Sequence, residues 1–110
     1  MQIFIFQFVA EKMPENSVSN DLRCAVVTVW VRGRSIEGTE HRAGHFVTGQ
    51  GWLPVDVPYV YSPTKLQLAD LRGHEAETYQ EALQFGISAD FDHWPARPER
   101  FGGHPVRSLP

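Results

Sequence analysis

Three histidines come closest, by type and spacing, to a metal site in this chain. His41 and His45 lie four residues apart in the segment HRAGH, and on a helix this spacing places both imidazoles on one face. His93, beside Asp90 and Asp92 in the segment ADFDHW, could supply a further ligand from a distance. HRAGH lacks the glutamate of the HExxH pattern, and histidine pairs at this spacing arise readily by chance. We therefore expect solvated surface histidines more often than metal ligands at these positions.

A second group of candidates surrounds the end of a predicted strand. Arg32 and Arg34 stand just before a predicted helix, and guanidinium groups beside a helix N-terminus suit the binding of a carboxylate or phosphate. Trp30 and Trp52 are large aromatic residues with a polar N–H, the kind that lines ligand pockets and interfaces. Ordinary surface charge explains the arginines as well, and core packing is the commoner role of tryptophan. These four residues are candidate ligand-binding residues, with both interpretations open.

Cys24 is the only cysteine of the chain, so an intramolecular disulfide is excluded. This cysteine usage fits a reducing compartment and predicts a cytoplasmic location. Its place at the start of a predicted strand favours a small buried side chain over a nucleophile. The chain has no G-x-S-x-G elbow, no Gly-rich phosphate loop and no dinucleotide fingerprint. The sequence therefore predicts no cofactor and no particular catalytic residue, and leaves open whether the protein is an enzyme.

Charge and length exclude several classes of protein. Lys+Arg 10 against Asp+Glu 13 gives a net charge of -3, which offers no broad basic surface for nucleic acid. No apolar run approaches the roughly 18 residues of a membrane-spanning helix. A chain of 110 residues is the size of one domain. We expect residues 1–94 to form a single α+β domain and residues 95–110, with their Pro, Gly and Arg, to form an irregular tail.

Three strands are predicted from alternation and β-branched content. Residues 2–9 are apolar on both faces, which is typical of a strand covered on two sides, and residues 24–32 are rich in valine. Residues 52–61 alternate as well but contain Pro54 and Pro58. Because these two prolines have the same parity, their missing N–H groups point to one side, and the strand should lie at a sheet edge.

Two main helices and a further strand complete the predicted elements. Ser35 can cap a helix that runs towards Gly49 and Gly51. A second helix is predicted over residues 74–85, with acidic residues in its first turn and Gly86 as its stop. Residues 87–94 are predicted to add a short strand.

The order of these elements implies a topology. A strand–helix–strand passage is nearly always a right-handed crossover, so the second and third strands should run parallel with the first strand between them. This element order resembles a ferredoxin-like α+β sandwich, although no motif accompanies the resemblance. The expected fold is a small ferredoxin-like sandwich with a mixed sheet of three to four strands and two main helices on one face.

Helices on one face would leave the other face of the sheet apolar and exposed, which is unusual for a monomer. We therefore expect a homodimer that covers this face, unless Phe101, Val106 and Leu109 of the tail cover it instead. The predicted function is that of a small cytoplasmic domain acting by association, as a homodimer and as a regulatory or accessory subunit of a protein partner. The alternative is a small-molecule or metal-binding protein, enzyme or not, that uses the region of His41, His45 and His93.

Overall fold

Within the residues that the structure describes, apolar segments separated by polar turns fold into five strands and three helices. The computed structural model describes residues 2–18, 21–56 and 58–94, so the predicted tail at 95–110 lies outside the described residues. The strands are β1 (Gln2–Lys12), β2 (Cys24–Gly33), β3 (Trp52–Pro54), β4 (Tyr59–Tyr61) and β5 (Ile87–Trp94). The helices are α1 (Ile36–Gly49), α2 (Lys65–Ala69) and α3 (Gly73–Phe85).

The long strand β1 lies inside the sheet. It pairs with β2 along one side and with β3 and β4 along the other, while β2 also pairs with β5. The order is β3-β1-β2-β5, with β4 also on β1. This order confirms that the first strand lies between the second and the third, and that the proline-bearing segment forms an edge.

The predicted ferredoxin-like sandwich is wrong in three respects. The sheet has five strands instead of three to four, because residues 52–61 divide into β3 and β4. It is not mixed, since every pairing of neighbouring strands is antiparallel. The two main helices do not share a face. The physical reason is that β1 and β2 are apolar on both faces, so each face needs its own cover.

Helix α1 covers one face, which we call the α1 face. Ala43 and Val47 of the helix are fully buried there. Along β1 the side chains of Phe4, Phe6 and Phe8 point to this face, because alternate residues of a strand point the same way. Valines of β2 and Trp52 of β3 complete this larger of the two apolar clusters.

Helices α2 and α3 lie on the opposite face, which we call the α3 face. Ile3, Ile5 and Trp30 of the sheet are buried there together with Ala82 of α3. Tyr61 and apolar residues of both helices pack at the margin of this cluster. The face that was expected to need a second subunit is therefore covered, in this region, by the chain's own helices. The homodimer was predicted from an exposed apolar face, and that argument does not hold in this region.

Two consecutive residues of β2 set the packing of α3 and α1 against the sheet. The Arg32 guanidinium donates a hydrogen bond to the carbonyl of Leu83 near the end of α3, at 2.7 Å. Gly33 points to the other face, where Thr39 of α1 lies so close that a Cβ at position 33 would overlap the Thr39 methyl group. The close approach of α1 to β2 therefore requires glycine at this position.

The helix ends follow from local residue chemistry. Ser35 caps α1 as predicted, because its side chain accepts a hydrogen bond from the N–H of Gly38. Gly86 ends α3 in the left-handed conformation, with φ 88°, and turns the chain directly into β5. Among the described residues, no helix has both the length and the apolar character needed to cross a membrane.

Candidate functional site

A row of polar side chains interrupts the otherwise apolar sheet on the α3 face. The strand register places Gln7 of β1 opposite Thr28 of β2, and Thr28 opposite Asp90 of β5. The Gln7 amide donates a hydrogen bond to the Thr28 hydroxyl at 3.3 Å. Three neighbouring strands thus present hydrogen-bonding groups at one level of the sheet, and the start of α3 lies above them.

The partly open space between this polar row and α3 is a pocket of about 110 Å³, which we call the His74 pocket. Its lining combines strand residues with residues from the first turns of the helix. They are Gln7, Thr28, Trp30, Tyr61, His74, Glu75, Thr78 and Asp90.

The turn at Gly86 brings Asp90 to the start of α3. A strand advances roughly 3.3 Å per residue and a helix roughly 1.5 Å, so four strand residues and nine helical residues both span roughly 13 Å. Asp90 of β5 and Glu77 of α3 lie at these distances from Gly86. His74, one turn before Glu77, contacts both carboxylates.

A hydrogen bond between side chains of the pocket joins His74 to Asp90. Nε2 of His74 donates to Oδ1 of Asp90 at 3.0 Å, and Nδ1 lies 3.7 Å from Oε1 of Glu77. The hydrogen bond and the charge of Asp90, with a smaller effect of Glu77, raise the pKa of His74 above its ordinary value of 6.5. Both side chains of the 3.0 Å contact are more than half exposed, at 66% and 52%, so this is a solvent-accessible proton site and not a core ion pair.

Tyr61 supplies a neutral hydrogen-bonding group to the same pocket. Burial, with smaller effects of Glu75 and Tyr59, raises the pKa of its phenol above the ordinary value of 10.0. The phenol therefore keeps its proton at neutral pH and can donate a hydrogen bond. The Thr78 hydroxyl, in contrast, donates to the carbonyl of His74 at 3.0 Å and helps to hold the helix turn.

His41 and His45 lie on the other side of the sheet. Both are exposed on α1, and their ring centroids are 5.5 Å apart. They line an open groove of about 450 Å³, which we call the His41–His45 groove. Its other lining residues are Phe8, Glu40, Gly44, Thr48, Pro54, Asp56 and Pro58.

His93 does not join this pair. Its ring packs against Trp52 at 5.4 Å and Phe91 at 6.3 Å between centroids. In the described parts of the chain, no group of three or more His, Cys, Asp or Glu residues is arranged to hold a metal ion. Asp92, the other acidic neighbour of His93, is exposed on the α3 face outside the His74 pocket.

Comparisons with protein-family models, curated proteins and solved structures found no match to this chain. These comparisons therefore indicate no function for the site.

The remaining sequence candidates divide between pocket and scaffold. Trp30 lines the His74 pocket and packs against Tyr79. Trp52, in contrast, is buried in the apolar cluster on the α1 face. Arg32 is bonded to the end of α3, and Arg34 is exposed. Buried Cys24 forms no disulfide.

His74 and the polar strand residues Gln7 and Thr28 were not among the candidates predicted from the sequence. One signal was present in the strands: Gln7 and Thr28 are the polar residues within segments that are otherwise almost entirely apolar. Polar positions inside two adjacent buried strands indicate a shared polar site, provided that the register places them opposite each other. That register comes from the fold, so the pairing with Asp90 could not be inferred from composition or spacing.

Proposed function

We propose that this protein binds a small polar molecule in the His74 pocket and transfers a proton there through His74 and Asp90. The observation that carries the proposal is the 3.0 Å hydrogen bond between these residues beside a cavity with a polar wall. A carboxylate bonded to one imidazole nitrogen fixes the tautomer and stabilises the protonated ring, which is the arrangement of a general acid–base pair.

Cavity size limits the ligand. The His74 pocket, at about 110 Å³, is well below the roughly 300–1,000 Å³ of sites for drug-sized molecules. It therefore accommodates a molecule of a few non-hydrogen atoms, or one end of a longer one.

Charge selects the chemical class. Glu75 and Asp90 place two carboxylates on the pocket against one imidazolium at most, so an anionic ligand is repelled. Carboxylates accept hydrogen bonds and do not donate them. The aromatic rings of Trp30 and Tyr61, on the same lining, attract cations through their faces. These features favour a small amine, amidine or guanidine over a carboxylic acid or a phosphate.

The proton transfer follows from the same contacts. When the ring is neutral, Asp90 holds the proton on Nε2, and Nδ1 of His74 is the proton acceptor. After a proton is accepted, the charge of Asp90 stabilises the imidazolium. Because the pKa of His74 is raised, a larger fraction of this residue than of an unpaired histidine is protonated at neutral pH and able to act as an acid.

The test is an NMR titration of the full chain with methylguanidine and ethanolamine, and separately with acetate and glycerol. We expect the two cations to shift the signals of the Trp30 indole and the His74 ring, and acetate to leave them unchanged. Asp90→Asn should lower the pKa of His74 and weaken cation binding. Asp92→Asn is the matched control, since Asp92 lies two residues further on the same strand face, outside the pocket.

Two results would contradict the proposal. One is the absence of any saturable shift with the cations. The other is an equal loss of cation binding in the Asp90 and Asp92 variants, which would indicate a general effect of negative charge.

Association is a second candidate, in the form predicted from the sequence: a cytoplasmic homodimer that also serves as a regulatory or accessory subunit of a protein partner. It is supported by β5, which lies at the end of the sheet and, within the described residues, pairs with β2 alone. Leu66 and Phe85 add large apolar side chains that are 82% and 67% exposed. Native mass spectrometry of the untagged chain should then show a dimer that Phe85→Ser or Leu66→Ser weakens. A monomer at all concentrations would remove this candidate.

A further inference from the structure

We propose that His41 and His45 bind one divalent transition-metal ion, each through one imidazole nitrogen, in the His41–His45 groove. The proposal is independent of the His74 pocket, because it depends on α1 and on the opposite face of the sheet. It rests on the separation of the two rings, on the open groove beside them and on the charge of the groove.

The ring separation fits two ligands of one metal. With a metal–nitrogen distance of about 2.0–2.1 Å, each ring centre lies roughly 3.2 Å from the ion, and two rings on a tetrahedral ion have centres roughly 5.2 Å apart. The observed centroid distance is 5.5 Å, with the ring planes tilted by 53°. Both side chains are exposed, so each ring has room to rotate and turn a nitrogen towards a shared ion.

Gly44 keeps the groove open between the two histidines. Glycine inside a helix is unfavourable relative to alanine. Within the described residues, close packing does not require it here, since no atom other than those of its chain neighbours and the helix backbone lies within 4 Å of the position that a Cβ would take. Position 44 lines the groove together with both imidazoles. The missing side chain leaves room beside the rings for an ion and the water that it carries.

The charge of the groove favours cations. Glu40 of α1 and Asp56, which follows β3, line the same groove as the two imidazoles. Their carboxylates raise the local concentration of cations without having to be ligands.

The proposed metal ion has coordination positions that the two imidazoles do not fill. In the described ranges no third His, Cys, Asp or Glu joins the pair as a metal-binding group, so the two imidazoles are the protein ligands that this part of the chain provides. Water or an exogenous ligand fills the other positions, and the ion exchanges readily. Imidazole ligands select Cu²⁺, Ni²⁺ and Zn²⁺, with Cu²⁺ bound most tightly, whereas Mg²⁺ and Ca²⁺ require oxygen ligands.

Isothermal titration calorimetry of the untagged full chain with NiCl₂, ZnCl₂ and MgCl₂, in a buffer that does not chelate metals, tests the proposal. We expect one Ni²⁺ or Zn²⁺ per chain and no binding of Mg²⁺. His41→Asn and His45→Asn should each weaken Ni²⁺ binding at least tenfold, because loss of an outer-shell partner alone costs roughly 10–100-fold in metal affinity. His93→Asn and His74→Asn are the matched controls and should keep the wild-type affinity.

The variants also separate this site from others. Both substituted side chains are exposed, so circular dichroism and the thermal midpoint should show an intact fold. The proposal is overturned if the wild-type chain binds neither Ni²⁺ nor Zn²⁺. It is equally overturned if the double variant that combines His41→Asn with His45→Asn retains wild-type affinity. A third contradicting result is that His93→Asn or His74→Asn abolishes binding while this double variant does not.

Discussion

The two histidine regions are separated by a single strand. Gln7 lines the His74 pocket and Phe8 lines the His41–His45 groove, so consecutive residues of β1 form walls of the two sites on opposite faces. The first wall is polar and carries hydrogen bonds across the sheet, whereas the second belongs to the apolar cluster beneath α1. The same strand thus supports two sites of different chemistry.

The partners of the histidines differ in the same way. His74 faces a carboxylate that a different element provides, and this contact raises its pKa. His41 and His45 face each other on one helix, next to a glycine. A carboxylate partner suits an imidazole to the proposed proton transfer, while a second imidazole at this separation suits the pair to the proposed metal binding. The chemistry open to each histidine thus depends on the neighbouring side chain that the fold places beside it.

The largest expected difference is in the stability lost when Phe8, which lines the His41–His45 groove, or Gln7, which lines the His74 pocket, is replaced by alanine. Phe8→Ala should lower the free energy of unfolding by about 3–5 kcal/mol, because it removes a buried aromatic ring and leaves a cavity. Gln7→Ala should cost only about 0.5–1.5 kcal/mol, the usual value of one partly buried hydrogen bond. Urea denaturation of both variants measures the difference. Equal losses would show that the two walls do not differ as described.

A second contrast concerns the way each helix is fastened to β2. Gly33→Ala should destabilise the protein by about 1–3 kcal/mol, because the new methyl group overlaps buried Thr39 and pushes α1 from the sheet. In NMR spectra the largest shifts should fall on α1 and its histidines. Arg32→Ala is the counterpart for α3, and its largest shifts should fall near Leu83. If the NMR shifts caused by Gly33→Ala were as large in α3 as in α1, Gly33 would not act on α1 in particular, and this prediction would be wrong.

Gly44→Ala, in contrast to Gly33→Ala, should increase the free energy of unfolding. The position has open space around it, so alanine is expected to stabilise α1 by up to about 1 kcal/mol. Thermal denaturation followed by circular dichroism measures the change. A destabilised Gly44 variant would mean that the helix is constrained at this point by a contact other than those described.

The smallest expected effect is a dependence of stability on pH. Because the pKa of His74 is raised in the folded state, its contribution is fully present below the ordinary value of 6.5 and is lost as the pH rises through the folded-state value. His74→Asn and Asp90→Asn should both reduce the fall in denaturation midpoint between acidic and alkaline pH. Asp92→Asn should leave this fall unchanged. A wild-type profile identical to that of the His74 variant would remove the stabilising role of the contact.

Much of the secondary structure could be predicted from the sequence. The valine-rich segment, the Ser35 cap and the Gly86 stop are local signals, and the structure confirms β2, α1 and α3 at these positions. The edge position of Pro54 and Pro58 also follows from a local property, the missing N–H of proline. Where residue chemistry decides a feature by itself, the prediction succeeds.

The placement of the helices and the site could not be predicted in this way. The side of the sheet on which a helix packs depends on competition between faces, and because β1 and β2 are apolar on both faces, α1 packs on one face and α2 and α3 pack on the other. The contact of His74 with Asp90 requires both the turn at Gly86 and the register of β5 on β2. Spacing along the chain pointed to His41 and His45, because a pair within one helix is visible without the fold.

The pairing of β5 with β2 also sets the order in which the two regions can form. That pairing joins residues 24–31 to residues 87–94, so the polar row is complete only after a distant part of the chain has arrived. The histidines of α1 are brought together as soon as their own helix forms, within a few turns of local structure. During folding, the ring separation at α1 reports on one helix, whereas the raised pKa of His74 reports on the packing of β5 against α3.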